Sequence, residues 1–295
     1  MSRLRATIDR YFGQDALEWF DRSYLTDWAV IVLIWLLSGL ASSLPVFKRD
    51  FMPSDPEISH PHKKNQVGSF LNQTVAFFGP ILVFMFIGCL QRSLLTIHHG
   101  AVGLCAARGL AHLVTEILKH SVGRLRPDFL ARCAWDNVAE QCTGHKHTVL
   151  DGRKSFPSGH SSTAFSGMLF LSLWIAGQTA AWCFSVPKSP RSFRSSRMLS
   201  FFLTLLPLFW ATHVAVTRMQ DYRHHKEDVI VGSFLGCLSA ILSYLIFWPN
   251  PISASTFDYQ GGGQPRLLYT DGQYHRSRTT DFELTGLETD EADAV

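Results

Sequence analysis

The sequence has 295 residues, of which 46% are hydrophobic and 17% are charged, and it contains 22 Phe and 8 Trp. This composition is too apolar for a pair of soluble domains and indicates an integral membrane protein. The net charge is only +3 and the basic residues are scattered, which excludes the long basic surface of a nucleic-acid-binding protein.

The first 27 residues lack the short apolar core and small-residue cleavage site of a signal peptide. Their aromatic residues, such as Trp19 and Tyr24, are mixed with charges. That mixture fits a helix lying on the membrane surface or a solvated leader. We therefore treat 1–27 as an N-terminal cytosolic or interfacial segment.

Six apolar runs follow, and each comes close to the roughly 20 residues that a helix needs to cross the hydrocarbon. They cover about 28–44, 70–90, 95–118, 163–182, 199–217 and 229–248. The predicted fold class is all-α: an integral membrane bundle of six transmembrane helices over residues 28–248. Residues 249–295 are Gly-rich and then acidic, which predicts a disordered cytosolic tail.

The third span is unusual because Arg108, His112 and Glu116 follow one another at four-residue spacing, on one helical face. Charges at membrane depth are costly, so this face is expected to look into the bundle. The pattern favours an internally paired polar stripe over a direct catalytic role.

Six cysteines in this length do not form a disulfide framework. Cys133 and Cys142 share one polar loop, and we expect them to be bonded if that loop faces an oxidising compartment. The other four fall in or beside apolar runs, where packing is their expected role.

Three polar segments carry the residues suited to chemistry: 119–128, 157–160 and 217–228. With six spans, both termini lie on one side of the membrane and these three segments meet on the other. The sequence therefore predicts an active site at one membrane face.

The turn at 157–160 reads as a helix start with Ser158 as N-cap. The free N–H groups and the positive end of the dipole at such a terminus attract an anion, and His160 would lie beside it. Taken alone, a Ser-Gly-His turn more often caps a helix and does nothing else.

The two flanking segments supply charge and a nucleophile. Lys119, Arg126 and Arg218 could clamp a doubly charged anion through charge-assisted hydrogen bonds. If the sixth helix begins near residue 224, His224 and Asp228 share a face, and the carboxylate can hold one ring nitrogen as N–H. The other nitrogen is then a free nucleophile.

Other interpretations exist. Basic residues at span ends can simply anchor in headgroups, and His225 has a spacing to Asp228 that also fits one helical face. A metal could be bound by His224, His225 and Asp228, or near His145 and His147. Three cations around one site favour a phosphoryl group over a metal, so we predict no metal and no cofactor.

These segments resemble the three signature motifs of the type 2 phosphatidic acid phosphatase superfamily: KxxxxxxRP at 119–127, PSGH at 157–160 and RxxxxxHxxxD at 218–228. That superfamily includes lipid phosphate phosphatases, glucose-6-phosphatase and vanadium haloperoxidases. Thr217 departs from the Ser that the family usually has, although a hydroxyl remains. Residues 126–129, 151–152 and 221–225 further resemble fungal and plant enzymes acting on phosphatidate and diacylglycerol pyrophosphate.

The resemblance implies a role for each motif residue. His224 would attack phosphorus, Asp228 would orient it, and His160 would protonate the departing oxygen. The phosphate-binding residues would be Lys119, Arg126, Pro127, Ser158, Gly159 and Arg218. The implied activity is a metal-independent lipid phosphate phosphatase, acting on phosphatidate, diacylglycerol pyrophosphate and lysophosphatidate through a phosphohistidine.

The motifs leave alternatives open. The substrate could instead be a polyprenyl diphosphate, a sphingoid phosphate or a sugar phosphate, and a non-catalytic scaffold or lipid carrier could use the same frame. The expected partner is a lipid phosphate in the bilayer, with no nucleic acid. We expect a multi-pass protein of an endomembrane (vacuole, Golgi or ER) or of the plasma membrane, with a lumenal or extracellular site, because the link at 188–197 contains four basic residues and no acid.

Overall fold

The computed structural model describes residues 8, 10–13, 16–186, 196–258 and 263–269. In chain order the helices are α1 (Ser23–Ser42), α2 (Ser69–Leu90), α3 (Leu94–Val122), α4 (Phe129–Cys133), α5 (Lys146–Asp151), α6 (Gly159–Thr179), α7 (Arg197–Gln220), α8 (Lys226–Phe247) and α9 (Ser255–Asp258). A 3₁₀ turn (Pro56–Ile58) and two antiparallel strands, β1 (Trp135–Asp136) and β2 (Gln141–Cys142), complete these elements. The mostly helical fold that the sequence predicts is confirmed.

Serine side chains begin three of the long helices. The hydroxyls of Ser93, Ser158 and Ser196 accept the backbone N–H three residues later, at 3.2, 3.4 and 3.3 Å. Each bond satisfies one of the N–H groups that the first turn of a helix leaves free. The predicted N-cap at Ser158 is therefore confirmed.

Helix α3 extends beyond the predicted span, because the polar residues that follow the apolar run are also helical. It ends at Gly123, whose φ of 58° lies in the left-handed region that glycine adopts without strain. Lys119 therefore lies in the last helical turn and not in a loop.

Helix α6 lies at the centre of the bundle, packed against α2, α3, α7 and α8. Its buried side chains include serines such as Ser162, Ser166 and Ser172. Because its neighbours are other helices, α6 accommodates small polar residues that a lipid-facing helix would not.

Within the part of the chain that the structure describes, five helices, α1, α2, α3, α7 and α8, are long and apolar enough to cross a membrane. Helix α6, expected as the fourth of six spans, has 21 residues. At about 1.5 Å per residue it is long enough for the hydrocarbon. Helix α6 is not among the five and packs against four other helices.

Two glycines allow the helices around α6 to come close. A Cβ at Gly167 of α6 would collide with the backbone oxygen of Ala76 in α2, and one at Gly232 of α8 would collide with that of Ser158. The second contact matters for the site, because it places the start of α6 directly against the first turns of α8.

As predicted, the polar stripe of α3 faces the bundle interior, where its partners include residues of other helices. His112 and Glu116 also line the cavity of the candidate site. Arg108 donates to the carbonyl oxygen of Thr163 at 3.2 Å and to the side chain of Gln73. Glu116 forms an ion pair with Lys119 at 2.6 Å. These contacts satisfy groups that lie inside the bundle, as burial of charge requires.

The loop between α3 and α6 folds on itself. Helices α4 and α5 flank the β1–β2 hairpin, and Cys133 and Cys142 form a disulfide with 4.8 Å between their Cα atoms. This pairing confirms the expectation from the sequence. The remaining cysteines, Cys89, Cys105, Cys183 and Cys237, are free.

The ends of the bundle differ from the predicted segment boundaries. Helix α1 begins at Ser23, inside the segment 1–27. Residues 263–269, which belong to the predicted tail, contact the bundle: Arg266 N donates to the Phe247 carbonyl at 3.0 Å, and the Tyr269 hydroxyl donates to the Asp27 carboxylate at 3.0 Å. The rest of the tail (259–262 and 270–295) and residues 187–195 of the basic link lie outside the described residues.

Candidate active site

A cavity of about 280 Å³ opens where α3, α6 and α7 approach the start of α8. Six of the residues predicted for the site line it: Lys119, Arg126, Gly159, His160, Arg218 and His224. The structure thus brings all three sequence segments to one cavity. Pro127, Ser158 and Asp228 are not among the lining residues.

His224 lies in the turn before α8 and is 4% exposed. Its Nδ1 is 2.7 Å from the carbonyl oxygen of Ser155, to which it must donate a hydrogen bond. This bond fixes the tautomer and leaves Nε2 with a free lone pair. Burial lowers the pKa of His224 to about 4, so the ring is neutral near pH 7.

Asp228 does not hold His224 directly, which corrects the expectation from the sequence. Its Oδ2 is 3.8 Å from His224 Nδ1, beyond a hydrogen bond. The spacing argument fails because α8 begins only at Lys226, so His224 is outside the helix. Asp228 instead accepts the Ser155 hydroxyl at 2.6 Å and so supports the residue whose carbonyl orients His224.

His225 is the histidine that pairs with Asp228. It is the N-cap of α8, and its backbone N–H donates to Asp228 Oδ2 at 3.0 Å in a capping box. Its Nε2 lies 3.3 Å from the Glu57 carbonyl, and the residue does not line the cavity. This position suits a structural role.

Each of the three predicted cations is held by its own carboxylate. The Lys119 ammonium is 2.6 Å from Glu116, the Arg126 guanidinium 3.0 Å from Asp151, and that of Arg218 3.1 Å from Asp221. A charged partner fixes each long side chain without consuming all of its N–H donors. The cations are therefore positioned before any anion arrives.

Asp151 shows how strongly these groups interact. Burial raises the pKa of its carboxyl, but the guanidinium groups of Arg126 and Arg132 lower it, and the resulting pKa lies below the ordinary value. Asp151 therefore stays ionised, as its role as an anchor for Arg126 requires. It lines the cavity and was not among the predicted site residues, although 151–152 belong to the family resemblance.

Ser158, in the turn at 157–160, was predicted to bind the phosphate but does not line the cavity. Its hydroxyl is fully buried and is hydrogen-bonded to the backbone N–H and the hydroxyl of Ser161, so it does not reach the cavity. Gly159 does line it, and a Cβ there would lie 2.8 Å from Lys119 Nζ. A larger residue at this position would displace the lysine ammonium from its present place.

The segment at residues 65 and 66, which lies outside the three motifs, covers the cavity. Gln66 donates two hydrogen bonds to the Asp221 carboxylate, at 2.9 and 2.8 Å, and Asn65 Oδ1 accepts from Arg218 at 3.3 Å. This segment lies between the first two predicted spans. No pattern in the sequence indicates its role, because the contacts are to residues more than 150 positions away.

Further lining residues come from the first turns of α2, which the sequence analysis also missed: Ser69, Asn72 and Gln73. A signal was present, because two amides stand at the start of an otherwise apolar run. His145 and His147, considered above as metal ligands, do not line the cavity.

Comparison with known proteins gives consistent matches. The model of the PAP2 superfamily matches residues 100–252. The chain is 33% identical to diacylglycerol pyrophosphate phosphatase 1 of Saccharomyces cerevisiae, over 76% of this chain and 80% of the relative. It is 30% identical to lipid phosphate phosphatase 2 of Arabidopsis thaliana, over 78% and 79% of the two chains. No solved structure matches.

Two single variants distinguish the adjacent histidines. The change His224→Ala removes the only one of the two rings that lines the cavity, and we expect phosphatase activity to fall by about 10³-fold or more. His225→Ala removes a capping contact and should leave activity within about tenfold of the parent. Initial rates and thermal unfolding in detergent are measured on both variants. Loss of activity in His225→Ala with retention in His224→Ala would exchange the two assignments.

Proposed function

The chain belongs to the PAP2 superfamily, and from this premise we propose that it is a metal-independent phosphatase of lipid phosphates that works through a phosphohistidine at His224. The observation that carries the proposal is the meeting of a neutral histidine with a free Nε2, a second histidine and three anchored cations around one cavity. That set matches the needs of phosphoryl transfer.

In the first step His224 Nε2 attacks phosphorus. A P–N bond forms while the bond from phosphorus to the lipid oxygen breaks, and that oxygen takes its electron pair and a proton from His160. Lys119, Arg126 and Arg218 stabilise the charge that develops on the equatorial oxygens. The Ser155 carbonyl stabilises His224 as it gains positive character.

In the second step a water molecule attacks the phosphohistidine. His160, now unprotonated, accepts the proton of that water, the P–N bond breaks and its electron pair returns to His224 Nε2. Inorganic phosphate leaves and both histidines regain their initial states. Fixed lysine and arginine charges supply the electrostatic stabilisation throughout.

The relatives support a substrate class. One is named for diacylglycerol pyrophosphate and another for lipid phosphates. We propose phosphatidate, diacylglycerol pyrophosphate and lysophosphatidate as substrates of this chain. The apolar helices around the site would keep it within reach of lipids in the bilayer.

We further propose that α6 completes a set of six spans and that the cavity lies at one membrane face, on the lumenal or extracellular side. The disulfide between Cys133 and Cys142 supports this side, because such bonds persist in oxidising compartments. The loop that contains it joins α3 to α6, next to the cavity.

Release of inorganic phosphate from phosphatidate in detergent micelles should persist in excess EDTA, because the cations of the site are side chains. Vanadate, which adopts the trigonal geometry of the transferred group, should inhibit. Arg218→Gln should weaken that inhibition by about tenfold or more through loss of charge-assisted hydrogen bonds. Loss of activity in EDTA with recovery in Mg²⁺ would contradict the mechanism.

Protease-cleavable tags test the side of the membrane. One tag is placed after residue 285 in the tail and the other between Pro53 and Ser54, which are exposed and precede the segment that covers the cavity. In sealed vesicles with the cytosolic side outward, the tail tag should be cut at once and the loop tag only after detergent is added. Immediate cleavage of the loop tag alone would reverse the orientation.

A further inference from the structure

The first turn of α2 contacts His160 from a part of the chain that lies outside all three motifs. The Ser69 hydroxyl lies 3.3 Å from His160 Nε2, and Asn72 Nδ2 donates to the His160 backbone carbonyl at 3.0 Å. Ser69 and Asn72 are one helical turn apart, so both face the start of α6. Both also line the cavity.

We propose that Ser69 is a positioning residue that orients His160 as the proton donor to the departing lipid oxygen. The role rests on the proposed function, since it takes His160 as the general acid. When the Ser69 hydroxyl accepts from Nε2–H, the other ring nitrogen, Nδ1, is the one that can donate to the leaving oxygen. No described residue is hydrogen-bonded to His160 Nδ1, so this nitrogen is available to the leaving oxygen.

The tautomer is consistent with both chemical steps. In the charged ring, Nε2–H donates to Ser69 and Nδ1–H donates to the leaving oxygen. After Nδ1 gives up its proton, the neutral ring still donates to Ser69, and Nδ1 can accept a proton from the attacking water. Without the hydroxyl, Nε2–H of the charged ring loses this acceptor.

Asn72 also holds His160 in this position, through the backbone of the histidine. It is 1% exposed, and its bond to the His160 carbonyl holds the backbone of the histidine against α2. Its Oδ1 has no hydrogen-bond partner among the described residues. A buried amide with a free acceptor is costly, which is common where a site is built for function and not for stability alone.

The proposal predicts a shift in the pH profile. A hydrogen bond from the charged imidazolium to a hydroxyl is stronger than one from the neutral ring, so Ser69 stabilises the protonated form. Burial and the neighbouring Arg218, His224, Arg126 and Lys119 lower the pKa of His160 to about 3. The phosphate of a bound substrate opposes these cations, so the rate in the complex depends on the protonated form and falls as the pH rises through its pKa in that complex. Ser69→Ala should therefore move the basic limb of the kcat profile to lower pH, by about 0.5 to 1 unit.

The leaving group supplies a second readout. Lysophosphatidate releases an alkoxide that needs a proton, whereas para-nitrophenyl phosphate releases a stable phenolate that does not. Ser69→Ala should slow the first-turnover release of the lipid alcohol by about tenfold, while release of nitrophenol changes little. Ser69→Thr, which restores a hydroxyl, should recover the parent behaviour. Thr74→Val is the matched control, because this hydroxyl on the same helix does not line the cavity.

Ser69 is exposed, so its variants should fold, and thermal unfolding in detergent checks this. An equal loss with both substrates and no shift of the basic limb would overturn the role of Ser69. His160→Ala is measured in parallel. If that variant also fails to discriminate between the two leaving groups, His160 is not the acid, and the failure belongs to the proposed mechanism.

Discussion

The buried carboxylate of Asp228 connects the three sequence segments that form the site. It is fully buried, and it accepts hydrogen bonds from the Ser155 hydroxyl, the Arg124 guanidinium and the His225 backbone, at 2.6, 2.8 and 3.0 Å. A buried charge is tolerated only when it is paired and hydrogen-bonded in this way. Removing the carboxylate would take this acceptor from Arg124 in the first segment, from Ser155 just before the second and from His225 in the third.

The charged groups around the cavity are likewise held by paired partners. Lys119, Arg126 and Arg218 are each held by a carboxylate, and the carboxylate of Asp221 is held in turn by Gln66. Dipoles and charges that are fixed before the reaction cost no reorganisation when charge develops. A cluster of ionic groups inside a membrane protein lowers its stability, and the paired carboxylates reduce this loss.

Much of the fold and of the site could be predicted because it depends on local pattern. Hydrophobic runs predicted the long helices, and the spacing of three motifs predicted six of the residues that line the cavity. The relation of His224 to Asp228 could not be predicted, since it depends on whether α8 begins at residue 224 or at Lys226. A two-residue difference at a helix start exchanges the partners of two adjacent histidines.

The contributions of Asn65, Ser69 and Asn72 were missed for a different reason. Each acts through one or two contacts with residues far along the chain, such as the bond from Arg218 to Asn65 or the contact between Ser69 and His160. No periodicity records such contacts. Helix α6 was predicted as an ordinary span. Its serines and glycines fit its central position among other helices, which composition alone did not indicate.

The central claim is that phosphorus is transferred to His224 Nε2. The most direct measurement is rapid acid-free quenching of the enzyme with phosphatidate labelled in its phosphate, followed by peptide mapping. The expected result is an acid-labile, alkali-stable phosphoryl group on the peptide that contains His224, formed before free phosphate and absent from His224→Ala. Turnover by the parent enzyme with no label on the protein at any time, or label that persists in His224→Ala, would contradict the mechanism.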